Sequence, residues 1–183
     1  MWWRKHAAAR LAIVFAVASL TGGCFEPLYG TRPSLSSESV RDKLAAVEIP
    51  TINAPKGTPA GRIAVGMHNA LQYNLNGGEG AHAPTHQLIV NVSTTQLTVI
   101  VDITTGRPNA QVDAVVANYR LVEIATGKTV FSDSTFAHVD YDIPGSQQRF
   151  AAQRGQRDAE DRATQVVAEA IRNRLASYFV AGT

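Results

Sequence analysis

From residue 86 to residue 142 the chain is a succession of strand-forming segments broken only by short connections, and this limits the possible folds more than any other feature of it. Leu88, Val90 and Val92 alternate with Gln87, Asn91 and Ser93, and further on Leu97, Val99, Val101 and Ile103 alternate with Thr98 and Asp102. Alternation of this kind gives a strand one buried and one wet face. The apolar phase passes from even to odd numbers across Ser93 to Gln96. A one-residue slip would turn every side chain to the wrong face, so a β-bulge or bend is predicted there. Residues 104–109 read as a loop and residues 110–124 as a second strand rich in β-branched side chains. Ala125-Thr126-Gly127-Lys128 is a turn with glycine available for positive φ. Residues 129–142 form a third strand that closes at Ile143-Pro144-Gly145. Strands joined so closely make an antiparallel meander.

Helical periodicity flanks the meander on both sides. Thr58 and Pro59 form an N-cap followed by proline at the first helical position. Ile63, Met67, Ala70, Leu71, Asn74 and Leu75 then recur at threes and fours until Asn76-Gly77-Gly78 stops the run, which predicts an amphipathic helix of about four turns. Ahead of it, residues 47–52 (VEIPTI) are a short β-like run that Pro50 interrupts or confines to a sheet edge. After Ser146 a second helical stripe extends toward the end: Ala159, Ala163, Val166, Val167, Ala170, Ile171, Leu175 and Tyr178. Its opposite face carries Asp158, Arg162, Glu169 and Arg172, with Asp158 and Arg162 an i,i+4 pair and the acids toward the positive end of the helix dipole. Each helix has one apolar stripe and needs one surface to cover. The expected fold is therefore α/β (α+β), with a single four-stranded, largely antiparallel sheet and two helices packed on one face.

The first 23 residues read as an export leader. Arg4, Lys5 and Arg10 precede the uncharged run LAIVFAVASL, an n-region and an h-region. That run is about half of the roughly 20 apolar residues that a membrane-spanning helix needs. Gly22-Gly23-Cys24 resembles the lipobox of bacterial lipoproteins, with Thr21 where the usual leucine stands and Leu20 one place further back. A non-lipidated leader and an uncleaved anchor are the alternatives. The single cysteine fits lipidation, since it can make no internal disulfide and an acylated Cys24 would hold the chain on a membrane. Residues 24–39, rich in Pro, Gly and Ser, read as a lipidated tether, and residues 40–183 as one domain. Of 17 basic side chains, Arg4, Lys5 and Arg10 go with the leader and leave 14 against 15 acidic ones, a formal charge of −1. No basic field remains to suggest nucleic acid as a partner.

Catalytic signatures are lacking in the sequence. No serine-nucleophile motif, Walker loop or dinucleotide fingerprint occurs. His82 and His86 are four apart, but Pro84 between them denies the helix that would aim both at one metal. Asp158, Glu160 and Asp161 have spacings of one and two, which point in different directions on a helix, and read as a solvated face. The expectation is a protein that is not an enzyme, with no metal and no cofactor beyond the covalent lipid.

Several segments in order carry a likeness to a known family. Cys24 is followed by Phe25-Glu26-Pro27-Leu28-Tyr29-Gly30; then come Tyr119-Arg120-Leu121-Val122-Glu123, Thr126-Gly127-Lys128 and Tyr141-Asp142; the last are residues 157–163 (RDAEDRA) and 171–175 (IRNRL). Together they resemble the LPS-assembly lipoproteins, the LptE family, in the form found in alphaproteobacteria. The resemblance implies a helix-on-sheet domain that plugs the lumen of an outer-membrane β-barrel of the LptD type, assists its assembly and helps deliver lipopolysaccharide to the cell surface. It also implies a location on the periplasmic side of the outer membrane, anchored through lipid on Cys24; Phe25, where Asp would retain an enteric lipoprotein in the inner membrane, agrees. Lipopolysaccharide carries phosphates and acidic sugars, so a contact needs Arg or Lys; Arg107, Arg120 and Lys128 are the candidates. The alternative is a periplasmic auxiliary lipoprotein of an inner-membrane lipid or solute transporter.

Overall fold

The computed structural model describes residues 39–81, 83–101, 103–104, 106, 108–143 and 149–181. The described fold occupies the unit Val40–Thr183. The leader and the tether, Cys24 included, lie outside the described residues except for Ser39. The elements in order are α1 (Val40–Ala45), β1 (Val47–Glu48), α2 (Pro59–Asn76), β2 (His86–Val101), β3 (Pro108–Glu123), β4 (Thr129–Asp142) and α3 (Arg149–Ala181). They form one open four-stranded sheet in the order β1-β2-β3-β4. β1 runs parallel to β2 through Val47↔His86 and Glu48↔Gln87, whereas β2–β3 and β3–β4 are antiparallel. The sheet is thus mixed, and the fold is of the α+β kind.

Helix α2 begins and ends where its sequence signals stand. The Thr58 Oγ1 accepts the Gly61 N–H at 3.1 Å, with Pro59 behind it at the first helical position. At the other end Gly77 has φ 70° and its N–H donates to the Tyr73 carbonyl at 3.0 Å. An L side chain is costly in that left-handed conformation, so the chain stops helically on a glycine. The β3–β4 turn uses the same freedom at Gly127, φ 68°, whose N–H donates to the Glu123 carbonyl at 2.8 Å.

One face of the sheet makes the core. Leu88 and Val90 of β2, Val115, Ala117, Tyr119 and Leu121 of β3, and Ala137, Val139 and Tyr141 of β4 are buried on it. Ile63, Met67, Leu71 and Leu75 of α2 join them in one cluster with Ala163, Val167, Ile171 and Leu175 of α3. The 33 residues of α3 span about 50 Å, and the 16 of β2 or β3 about the same. A single helix can therefore run the length of the sheet. Alanines at 159, 163, 168 and 176, all buried, keep it close to the strands.

Four details differ from the sequence reading. The β2–β3 register is continuous from His86↔Glu123 to Thr98↔Gln111 and shifts only between Thr98 and Val101. There is no bulge at Ser93 to Gln96. The buried face itself turns polar, at Thr94 and Gln96, and Leu97 is left on the open face at 53 % exposure. The first strand is two residues long, and the six-residue helix α1 precedes it, docked by the buried Leu44. On α3 the buried surface is turned from the expected stripe. Val166 is exposed and Tyr178 half-buried, while Glu160, Thr164 and Phe179 are buried. Arg172, which the charge pattern places in solvent, is half-buried too. The Asp158–Arg162 pair forms at 2.8 Å as its spacing predicts.

Candidate functional site

The face of the sheet away from the helices is open, and its chemistry follows from strand alternation. Arg120 sits at mid-width on β3, opposite Ile89 of β2 and Ser132 of β4. The next row on the same face is Asn91, Asn118 and Ser134. These six side chains line a shallow groove of about 400 Å³. The neighbouring Asp133 belongs to the helix side: it pairs with Arg174 of α3 at 3.6 Å and accepts the Tyr119 hydroxyl at 3.5 Å. Burial and the Asp133 charge push the Tyr119 hydroxyl up to about 12, so it stays a neutral donor. Among the described residues no carboxylate pairs with Arg120. A guanidinium flanked by two amides and two hydroxyls can grip a phosphate or carboxylate bidentately and hydrogen-bond the hydroxyls of a sugar.

The three basic residues singled out in the sequence do not make one site. Lys128 lies in the β3–β4 turn, exposed, where the Thr126 hydroxyl accepts its backbone N–H at 3.3 Å. Strand rise puts that turn about 10 Å from Arg120. Arg107 lies outside the described residues. Pro108, the first residue of β3, is about 40 Å from Arg120 along the strand, so the groove and that end of the sheet are separate places. Cys24, likewise, lies outside the described residues.

A second polar region lies between sheet and helices, with Glu160 and Asp113 buried, Gln156 and Thr94 half-buried and Gln96 exposed. Glu160 of α3, 4 % exposed, accepts from Arg62 of α2, from Nε at 3.2 Å and from one terminal nitrogen at 2.9 Å to each oxygen. Gln156 adds a donor at 3.0 Å. Across from them on β3 is Asp113, 4 % exposed, with neither oxygen in a hydrogen bond. The Gln96 amide is near enough to draw the Asp113 carboxyl downward, but burial first and the Glu160 charge with it win, and the net direction is up. Gln96 gives its N–H instead to the Tyr141 hydroxyl at 3.3 Å, which donates to Gln111 at 2.8 Å. Burial, with Asp113 and Glu160 nearby, pushes Tyr141 up to about 12. This region escapes a motif search. Its one trace in the sequence is the polar residue at a core phase: Asp113 falls in the odd series with Val115, Ala117 and Tyr119, and Gln96 in the even series with Leu88 and Val90.

His86 opens β2 and meets Phe179 edge-on at a centroid distance of 5.4 Å, and burial lowers its pKa. Among the described residues no three His, Cys, Asp or Glu side chains are gathered as a metal site; His82 is outside them.

Solved structures share this architecture. A candidate lipoprotein from Caulobacter crescentus CB15 superposes with a TM-score of 0.60 at 21% identity, over 79% of this chain and 97% of that one. Rare lipoprotein B from Shewanella oneidensis gives 0.52 at 14% identity over 74% and 96%. A lipoprotein B from Nitrosomonas europaea, described as uncharacterized, gives 0.50 at 11% over 84% and 94%. The chain has the fold of these small bacterial lipoproteins. No family model matches the chain, and no curated protein matches it. At such identities the likeness concerns the backbone architecture, and Arg120 and its neighbours stand on their own geometry.

Proposed function

We propose that this chain is an outer-membrane lipoprotein, anchored through Cys24 on the periplasmic side, that plugs an LptD-type β-barrel, assists its assembly and helps deliver lipopolysaccharide to the cell surface. The observation that carries the reading is the shared fold: nearly the whole of the Caulobacter and Shewanella lipoproteins superposes on this chain. The leader that ends at Gly22-Gly23-Cys24 and the ordered segments that resemble the LptE family support it. The work needs no turnover. A plug acts by filling space and presenting a surface, and the open sheet face presents Arg120 among amides and hydroxyls.

The groove is the contact for lipopolysaccharide in this reading. Arg120→Glu removes the guanidinium and adds a repelling charge, while the exposed position leaves the fold intact. A charge-assisted hydrogen bond contributes about 1.5–3 kcal/mol, so binding of purified lipopolysaccharide weakens about tenfold or more. The difference shrinks as salt rises, because exposed charges are screened. Titration of wild type and variant at low and high ionic strength reads both effects. Equal affinities at low salt would remove lipopolysaccharide from this groove.

A further inference from the structure

The buried carboxylate of Asp113 lacks a partner in a fold that satisfies its neighbour Glu160 four times over. Leaving a buried charge unpaired is among the most unfavourable arrangements in a protein interior. Asp113 forms part of the wall of a cavity of about 160 Å³ between β2, β3, α2 and α3, together with Thr94, Gln96, Gln156 and Glu160. A water occupies roughly 10–15 Å³ by this measure, so the cavity has room for a group of several atoms. Gln96 gives one N–H to Tyr141 and Gln156 one to Glu160, and the carbonyl oxygen of each amide is an acceptor. Pro59, Ile63 and Val115 make the apolar part of the lining, and in its polar part acceptors outnumber donors.

Its charge decides what fits. Arg62 cancels Glu160, and Asp113 leaves the cluster one negative charge in excess. A divalent cation would overshoot that charge, and it wants more carboxylate ligands than the one not already held by arginine. A primary ammonium matches it, with three N–H donors for a carboxylate and two or three neutral oxygens. We propose that this cavity is a binding site for the primary ammonium group of a small amine, seated on Asp113 and hydrogen-bonded by Gln96, Gln156 and Thr94. The site lies on the helix side of the sheet and is independent of the Arg120 groove.

The test uses the purified chain with methylammonium chloride as probe, against tetramethylammonium, sodium and potassium chlorides at equal ionic strength. Methylammonium at about a hundredfold excess over its Kd should raise the melting midpoint by about 5–10 °C. Tetramethylammonium, which has no N–H, should leave it unchanged, and Asp113→Asn should abolish the response. Thr94→Val, which removes one acceptor without changing volume, should weaken it and serves if Asp113→Asn does not fold. Equal shifts from every salt, no shift with methylammonium, a full response in Asp113→Asn or, where that variant does not fold, a full response in Thr94→Val, would overturn the proposal. Sodium or potassium matching methylammonium would overturn it in favour of a metal ion. A further outcome is no response to amine, with wild-type stability falling as pH rises from the ordinary carboxylate range toward the raised pKa of Asp113, and no such fall in Asp113→Asn. The folded state would then hold a proton that the unfolded chain has lost. In that case Asp113, enclosed by Glu160, Gln156, Arg62, Gln96 and Tyr141, takes a proton and no ligand, and the proposal fails.

Discussion

Ile171→Asp should abolish the cooperative folding of this domain or lower its stability by more than about 4 kcal/mol. Ile171 is fully buried on the sheet side of α3, in one cluster with residues of α2 and all three long strands. An aspartate there loses the packing of a large aliphatic side chain and brings an unpaired charge into the core. Whole domains are stable by only about 5–15 kcal/mol, so such a loss removes much of the margin. Glu169→Ala, two residues away on the exposed side, should change stability by no more than about 0.5 kcal/mol. Urea unfolding followed by circular dichroism compares the two, and similar midpoints would contradict the docking of α3.

Arg62→Ala has the next largest effect. It strips Glu160 of three of the four hydrogen bonds described above and leaves its carboxylate with Gln156 alone. Breaking a wholly buried pair from one side costs about 3–5 kcal/mol. Here the Arg62 side chain is 45 % exposed, so water can replace part of what is lost, and about 2–3 kcal/mol is expected. For a domain of this size that is roughly 5–10 °C in melting midpoint. The double variant Arg62→Met, Glu160→Leu should recover most of it, because apolar residues of similar volume replace a buried pair at little cost. A double variant as unstable as Arg62→Ala would show that the hydrogen-bonded charge pair itself, and not only the avoidance of an unpaired Glu160, holds α2 to α3.

The parts of this fold legible in the sequence are those in which one residue type answers one local need. Thr58, Pro59 and Gly77 mark the ends of α2 because a cap, a missing N–H and a left-handed φ are local requirements. The meander was legible for the same reason, through alternation and the Gly127 turn. What the sequence hid depends on which face meets which. Leu97 looked like a core residue, and its phase implied a bulge. The inner face instead becomes polar at Thr94, Gln96 and Asp113, and Leu97 stays outside. Spacing showed correctly that Asp158, Glu160 and Asp161 diverge. It could not show that the middle one turns inward to meet Arg62, 98 residues earlier in the chain. Helix α1 is six residues long, far below the roughly 12–15 at which a helix persists alone, and it owes its existence to the docking of Leu44. Arg120 was recognisable as a candidate by charge alone; its setting of amides and hydroxyls needed the register of β2, β3 and β4.

The most direct measurement of the proposed function is affinity capture of the full-length chain from separated inner and outer membranes, with identification of what comes with it. Recovery from the outer membrane together with a large, heat-modifiable β-barrel protein of the LptD type is the predicted result. Recovery from the inner membrane with the subunits of a lipid or solute transporter would contradict the account.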